Sequence, residues 1–173
     1  MNLSGVSTEL RPVVEDLSRR FEGRFDAIVT PRLNEVYFHA AMDLVPGFCA
    51  HLCRKWKARL VTVFADDARI GHGVFHLYYA LALDDAHGLL VLRVPVSPET
   101  PEFAALTNAI PAVNWQEREI QDWFGLRLIG HPNPRRCALH DDWPAVHPLR
   151  KDFDLNTVLP PFQGERHKFR PVE

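Results

Sequence analysis

The residues of this chain whose types and spacing could do chemistry are Glu117, Arg118, Glu119 and Asp122. They stand in NWQEREIQDWFG, residues 114–125. Paired carboxylates near a histidine are the ingredients of general acid–base work, and His131 follows within ten residues of Asp122. On a helix, Trp115, Glu119 and Trp123 fall on one face at i, i+4 and i+8, and Arg118 and Asp122 pair at i, i+4 on a neighbouring face. Glu119, set between two indoles, is expected to reach water at an edge or to meet an arginine from elsewhere. Two later blocks supply cations. GHPNPRR, residues 130–136, carries Arg135 and Arg136, and HPLRKDF, residues 147–153, carries Arg150 and Lys151. One reading makes Glu119 or Asp122 a catalytic acid, with a histidine such as His131. The other is an internal clamp, in which directional Arg–carboxylate pairs fix where the later blocks cross the helix. The clamp is preferred, because no nucleophile or cofactor motif stands beside these carboxylates.

Other chemistries are poorly supplied. Cys49, His51 and Cys53 form C-x-H-x-C, but on a helix His51 points away from the face shared by the two cysteines. His131, His140 and His147 have no zinc-type spacing. Three cysteines, none in a CxxC, fall short of an iron–sulfur cluster. Neither G-x-G-x-x-G nor a P-loop lysine motif occurs. Cys137 and His140 are a weak hint of nucleophilic catalysis.

The elements that must position these residues can be read from periodicity. Leu10, Val13, Val14, Leu17 and Phe21 recur at helical spacing. They predict a helix over residues 8–21, with Thr8 as N-cap and Gly23 after its end. Residues 26–29 and 35–39 read as strands around a turn at Pro31 and Asn34. Leu44, Phe48, Leu52 and Trp56 predict a second helix, with Pro46 in its first turn. Strands are expected at 60–64, 74–83 and 89–94. The last two are joined as a hairpin through 84–88, so the sheet is at least partly antiparallel. Residues 102–108 read as a short helix broken by Pro111. Asn114 is expected to cap the helix 115–124, and Gly125 to end it.

The texture changes after Gly125. Seven of the fourteen prolines follow Gly130, and no helical or strand period persists. The expected organisation is an α/β (α+β) domain over 1–129, with a mixed, partly antiparallel sheet packed against helices, then an extended proline-rich segment over 130–173. Leu139, Trp143, Leu149, Phe153, Leu155, Val158, Leu159, Phe162 and Phe169 make that segment too apolar for a disordered linker. It is expected to lie on a surface, its own or a partner's, and to be mobile, fold back or self-associate when uncovered.

Size and composition set broad limits. A chain of 173 residues suits one domain with an appendage. A net charge of −2 gives no electrostatic case for nucleic acid. No run of eighteen apolar residues occurs, no secretory signal pattern opens the chain, and the cysteine count fits a reducing compartment.

Taken in order, the three blocks resemble the signature of a family within respiratory complex I (NADH:quinone oxidoreductase). It is the smaller hydrophilic subunit, sometimes fused to the quinone-site subunit, and it has a homologue in membrane-bound [NiFe] hydrogenases and formate hydrogenlyases. The residues that carry the resemblance are Asn114, Trp115, Glu117, Arg118, Glu119, Asp122, Phe124 and Gly125 in the first block. In the second they are Gly130, His131, Pro132, Arg135 and Arg136. In the third they are Asp141, Asp142, Trp143, His147, Pro148, Leu149, Arg150, Lys151, Asp152 and Phe153. Asn133-Pro134 and Asp154 depart from the family's usual residues, and FHLYYALAL and HDDWP have the texture of the hydrogenase branch.

The resemblance implies an α/β fold and a place in the peripheral arm, on the cytoplasmic side of the inner membrane. Its partners would be a quinone-site or nickel-site large subunit and iron–sulfur subunits. It implies that the chain binds no redox cofactor, while partners carry iron–sulfur clusters and flavin or nickel–iron. The first functional expectation is therefore a non-catalytic structural subunit of a complex I-like NADH:quinone oxidoreductase, with the equivalent hydrogenase or formate hydrogenlyase subunit as the alternative. Trp143, Phe153 and Phe162 would be its apolar anchors. A stand-alone acid–base enzyme using Glu119 and Asp122, or an adaptor outside any redox assembly, are readings from other classes.

Overall fold

The computed structural model describes residues 5–141, 143–154 and 156. Strands β1 (Phe25–Arg32), β2 (Glu35–Ala40), β3 (Arg59–Ala68), β4 (Val74–Leu83) and β5 (Gly88–Val96) form one sheet in the order β1-β2-β5-β4-β3. The β2–β5 pair is parallel and its neighbours are antiparallel. A parallel pair needs a long crossover, and here it runs through helix α2 (Val45–Lys55), β3, the short helix α3 (Arg69–His72) and β4. The expected β4–β5 hairpin is present, with Leu83 opposite Gly88.

Alternation gives the sheet two different faces. Phe75, Leu77, Tyr79, Leu81 and Leu83 of β4 point into the core, with Val36 and Phe38 of β2 and Leu90, Leu92 and Val94 of β5. Helix α1 (Arg11–Arg20) contributes Val13, Val14 and Leu17 to that core, and α2 contributes Phe48, Cys49 and Leu52. Gly88 is required where α1 approaches β5, since a Cβ there would lie 2.4 Å from a methyl carbon of Leu10. The opposite face of the sheet carries Tyr37, His39, Arg93, Tyr78 and Phe64.

Several local expectations need correction. Residues 102–108 are not helical. Glu102–Ala104 is strand β6, paired in parallel with β7 (Arg127–Ile129). Phe103 is its single inward residue between two exposed ones, and a strand so short leaves no period to read. Helix α1 begins at Arg11, with the Ser7 hydroxyl, not Thr8, accepting from the Leu10 amide at 3.3 Å. Strand β1 runs through Pro31 to Arg32. Proline is tolerated because β1 is an edge strand and its register shifts between Val29 and Arg32.

Helix α4 (Asn114–Phe124) connects β6 to β7 and packs Ile120 and Phe124 into the core. Asn114 is its first helical residue and makes no capping bond, whereas Gly125 ends it at φ +66° as expected. Residues 130–141, 143–154 and 156 contain turns and extended chain without helix or strand. Asp142, Leu155, Val158, Leu159, Phe162 and Phe169 lie outside the described residues. Among the described residues no helix is long and apolar enough to cross a membrane.

Candidate functional site: helix α4 and the segment that crosses it

The charged side chains on the inner side of α4 are used mainly on backbone. Glu117 is fully buried, and its carboxylate accepts from the Leu106 amide at 2.5 Å, the Thr107 hydroxyl at 2.5 Å and the Thr107 amide at 3.3 Å. It therefore holds the chain after β6 against the helix. Arg118 donates through Nε to the Arg135 carbonyl at 2.7 Å and through Nη2 to the Arg136 carbonyl at 3.0 Å. Its guanidinium lies 4.8 Å from the ring centre of Trp115, which is 62% exposed. Asp122 is buried, and one oxygen accepts from the amides of Cys137, Ala138 and Leu139 at 2.9, 2.8 and 3.2 Å. Three successive amides converging on one carboxylate hold a loop firmly.

The third block closes the other end of the helix. The last carbonyls of any helix lack partners within it. Here the Asp122 carbonyl accepts from His147 Nδ1 at 2.9 Å, that of Trp123 from the Leu149 amide at 3.1 Å, and that of Phe124 from Arg150 Nε at 2.6 Å. The bond fixes His147 as the Nδ1–H tautomer. Arg150 also brings a cation to the negative end of the helix, and lies 5.5 Å from the ring centre of Phe75. Gly125 carries two requirements: its φ is +66°, and a Cβ would meet the His147 ring at 2.3 Å.

A second cluster ties the same segment to the sheet. Asp67, on β3, is buried and accepts from Arg69 Nε at 2.8 Å, Arg69 Nη2 at 2.7 Å and the Lys151 amide at 2.8 Å. The Arg69 hydrogen bonds hold the Asp67 carboxyl well below the usual carboxylate range, against the opposing effect of burial. Arg69 bridges onward to Asp152 at 2.8 and 3.1 Å, which also lowers that carboxyl. These groups border a cleft of about 270 Å³ beside Ile70, which is 87% exposed.

The helix and the later blocks are thus brought together, but not through the expected partners. Glu119 is exposed and makes no hydrogen bond or ion pair among the described residues. Arg135 and Arg136 meet the helix through their carbonyls. The Arg136 guanidinium donates instead to the Trp143 carbonyl at 2.8 Å, and the Trp143 indole to the Val146 carbonyl at 3.0 Å. Lys151 contributes its amide and Arg150 its guanidinium to a carbonyl, so neither reaches Glu119. Arg118 and Asp122 do not pair with each other; each binds a different part of residues 135–139. Glu119 and Asp122 share no site, since one faces solvent and the other is enclosed by amides.

The remaining residues of the three blocks hold turns. Gly130 has φ +77° and its carbonyl accepts from Asn108 at 2.8 Å. His131 is buried and accepts from the Asn133 amide at 3.0 Å through Nδ1, beside the exposed Pro132. Pro148 and Phe153 are half-buried, and the Phe153 amide closes a turn onto the Arg150 carbonyl at 3.1 Å. Sequence reasoning does not single out Asp67 and Arg69, whose one signal is the run DDAR at the end of a strand.

The C-x-H-x-C triplet divides as helical geometry requires. Cys49 faces the core, where burial pushes its thiol up to about 12. His51 instead lies 2.7 Å from Asp16, a carboxylate that also accepts from Lys55 and Trp56. Among the described residues no three His, Cys, Asp or Glu side chains are grouped as metal ligands would be.

Comparison with known proteins agrees with this architecture. The chain is 32% identical over 154 residues to hydrogenase-4 component G of Escherichia coli (strain K12), covering 88% of this chain and 28% of that protein. It is 35% identical over 113 residues to formate hydrogenlyase subunit 5 of the same organism, covering 64% of this chain and 20% of that protein. The chain thus spans less than a third of either hydrogenase-type relative. It is 30% identical over 192 residues to an NADH-quinone oxidoreductase subunit of Salinispora tropica, covering 94% of this chain and 76% of that one. Among solved structures, a chain of the membrane-bound sulfane sulfur reductase, an archaeal respiratory membrane complex, superposes with a TM-score of 0.73 at 18% identity, covering 92% of this chain and 98% of that one. A trypsin-resistant fragment of Nqo5 gives 0.58 at 23% identity, covering 73% and 99%. These two likenesses establish the fold. Residues 39–158 match the sequence profile of the family described as respiratory-chain NADH dehydrogenase, 30 Kd subunit, and the chain belongs to that family.

Proposed function

We propose that this chain is a non-catalytic structural subunit in the peripheral arm of a complex I-like NADH:quinone oxidoreductase. It would sit on the cytoplasmic side of the inner membrane and position a quinone-site subunit and iron–sulfur subunits, which carry the redox cofactors. The observation that carries the reading is how the inner charges of α4 are used. Glu117, Arg118 and Asp122 have their donors or acceptors committed to backbone groups of residues 106–107 and 135–139 and to the Thr107 hydroxyl. A carboxylate held by three amides is set for fixing a loop, not for exchanging protons with a substrate. The same helix leaves Trp115 and Glu119 facing outward, and Leu149 beside its C-terminal end is 51% exposed. An ordered segment with exposed aromatic and apolar groups suits contact with a neighbouring protein. In this proposal residues 1–129 are the folded domain, and residues 130–173 are the segment that reaches its neighbours, with the motif residues from Trp115 to Phe153 ordering that surface.

The equivalent place in a membrane-bound [NiFe] hydrogenase or formate hydrogenlyase is the second reading. It is favoured by the relatives named hydrogenase-4 component G and formate hydrogenlyase subunit 5. A tagged pull-down from membranes of the source cells, with mass spectrometry and elemental analysis, tests both. Flavin-bearing and quinone-site subunits are the expected partners in the first reading, and nickel with a hydrogenase large subunit in the second. Stoichiometric iron or flavin in the isolated chain would overturn the non-catalytic assignment in either.

A further inference from the structure

The face of the sheet opposite the core carries an arginine, Arg93, that no carboxylate among the described residues pairs with. Strand register sets Ala27, His39, Arg93, Tyr78 and Phe64 in one row across all five strands. Arg93 is at its centre, on the middle strand, and half-buried. Its guanidinium donates to His39 Nδ1 at 3.2 Å and also faces the Tyr78 hydroxyl. An imidazole that accepts from a cation there is neutral, and burial together with Arg93 holds the His39 pKa below its ordinary value. Among the described residues no carboxylate pairs with Arg93. Glu35 is taken by Arg32 at 3.0 Å. A guanidinium offers five donors in a planar fork, and a carboxylate is its natural counterpart.

The surroundings give that fork a shaped approach. A cleft of about 580 Å³ opens between Val29, Pro31, Tyr37, His39 and Arg93, with the Arg32–Glu35 pair on its wall. Phe64 stacks on Tyr78 with ring centres 4.7 Å apart and planes 9° apart, yet Phe64 is 44% exposed. Val29 is 45% exposed at the other end of the face. Aromatic and apolar groups around one half-buried arginine is the composition of an interface centre.

We propose that this sheet face docks a partner protein of the assembly through an Asp or Glu side chain, which enters the cleft and pairs with Arg93 while Phe64 and Tyr78 pack against the partner backbone beside it. The proposal rests on the subunit reading above, and it chooses a protein carboxylate by charge complementarity. Residues 157–173 of this chain are poorer candidates, because they hold Glu165 and Glu173 against Arg166, Lys168 and Arg170.

The test places the photo-cross-linker p-benzoylphenylalanine at position 64 of the full chain in the source cells, with and without Arg93→Gln. The expected product joins this chain to a different polypeptide, at a peptide containing Asp or Glu. Arg93→Gln should lower the yield about tenfold at an unchanged thermal midpoint, since losing one partner of a buried charge pair acts on dissociation, and Arg93→Lys should recover part of it. Cross-links confined to residues 157–173 or to a second copy of the chain would overturn the proposal, as would an unchanged yield in Arg93→Gln. If Arg93→Gln does not fold, the product formed with Arg93 present still decides. Co-purification of redox subunits with the wild-type chain is scored separately. Its loss would sink the subunit reading, whereas its presence without the expected cross-link would sink only this face.

Discussion

A Cβ on Gly125 would lie 2.3 Å from Nε2 of His147. Two residues from separate blocks of sequence are thus one structural feature: the glycine turns the chain left-handed at the end of α4, and the space it leaves is filled by the ring that caps the same helix. Gly125→Ala should be destabilising on two counts. A left-handed backbone with a side chain costs roughly 1–2 kcal/mol, and the methyl must also displace the imidazole. The cycle with His147→Ala separates the counts by denaturant unfolding. The double variant should be more stable than the sum of the single losses predicts, because with the ring gone Gly125→Ala adds only its backbone cost to the loss of the His147 cap. Strict additivity would mean that the ring does not occupy that space.

Asp122 and Glu119 should behave oppositely, although they lie three residues apart on the same helix. Asp122→Ala leaves three amides of residues 137–139 without their acceptor, a loss of about 2–3 kcal/mol for charge-assisted bonds in a buried setting. Residues 135–139 should then open locally, so trypsin should cleave after Arg135 and Arg136 well before the rest of the fold. Glu119→Lys touches no partner among the described residues and should stay within about 0.5 kcal/mol of wild type. Equal trypsin resistance in the two variants would contradict the loop contacts described for Asp122.

These two carboxylates also show what the sequence could convey. The existence of α4, its end at Gly125 and its meeting with the two later blocks were legible, because helical period and the turn glycine are local signals. The core face of β4 was legible for the same reason, since ten residues of alternation leave little ambiguity. The partners of each charge were not. Side-chain spacing placed Glu119 between Trp115 and Trp123, but spacing says nothing about which face turns inward; that is set by Ile120 and Phe124 entering the core. Nor does spacing reveal that arginines and carboxylates here bind backbone. An expectation built on side-chain pairs missed carbonyls and amides that exist at every residue. Strand β6 failed for lack of length, and the Asp67–Arg69 pair because its significance depends on the Lys151 amide, 84 residues away along the chain.

Asp67 should make stability depend on pH in a defined direction. Its carboxyl is held below the ordinary value by Arg69 and by the amides of Lys151 and Arg69. A group whose folded-state pKa is depressed contributes stability that is present above its unfolded value, about 3.9, and is lost as pH falls through the folded one. The stability gap between wild type and Asp67→Asn should therefore be full at pH 7, about 2 kcal/mol for charge-assisted hydrogen bonds. It should narrow progressively below about pH 4. Urea unfolding of both proteins across that range checks the sign. A gap that widens on acidification would show that the carboxylate is not the favoured form in the fold.

Arg150 joins the two ends of the same clamp, and its replacement should report on both. Its Nε donates to the Phe124 carbonyl and its guanidinium lies over Phe75, so one side chain caps α4 and fastens the third block to β4. Arg150→Met keeps much of the apolar stem while removing the donor and the charge. The Phe124 carbonyl then loses its partner, and the helix loses a cation at its negative end, together about 1–2 kcal/mol. Arg150→Glu adds an anion at that end and should cost more than Arg150→Met. Hydrogen exchange should localise the effect: the amides of Leu149 and Lys151, which bond to Trp123 and Asp67, should lose protection in both variants, while those in the middle of β4 and β5 should keep theirs. The decisive comparison is between charge and packing. If Arg150→Met and Arg150→Glu exchange at the same rates, the cation contributes nothing at the helix end, and the third block is held by His147, Leu149 and the Asp67 cluster alone.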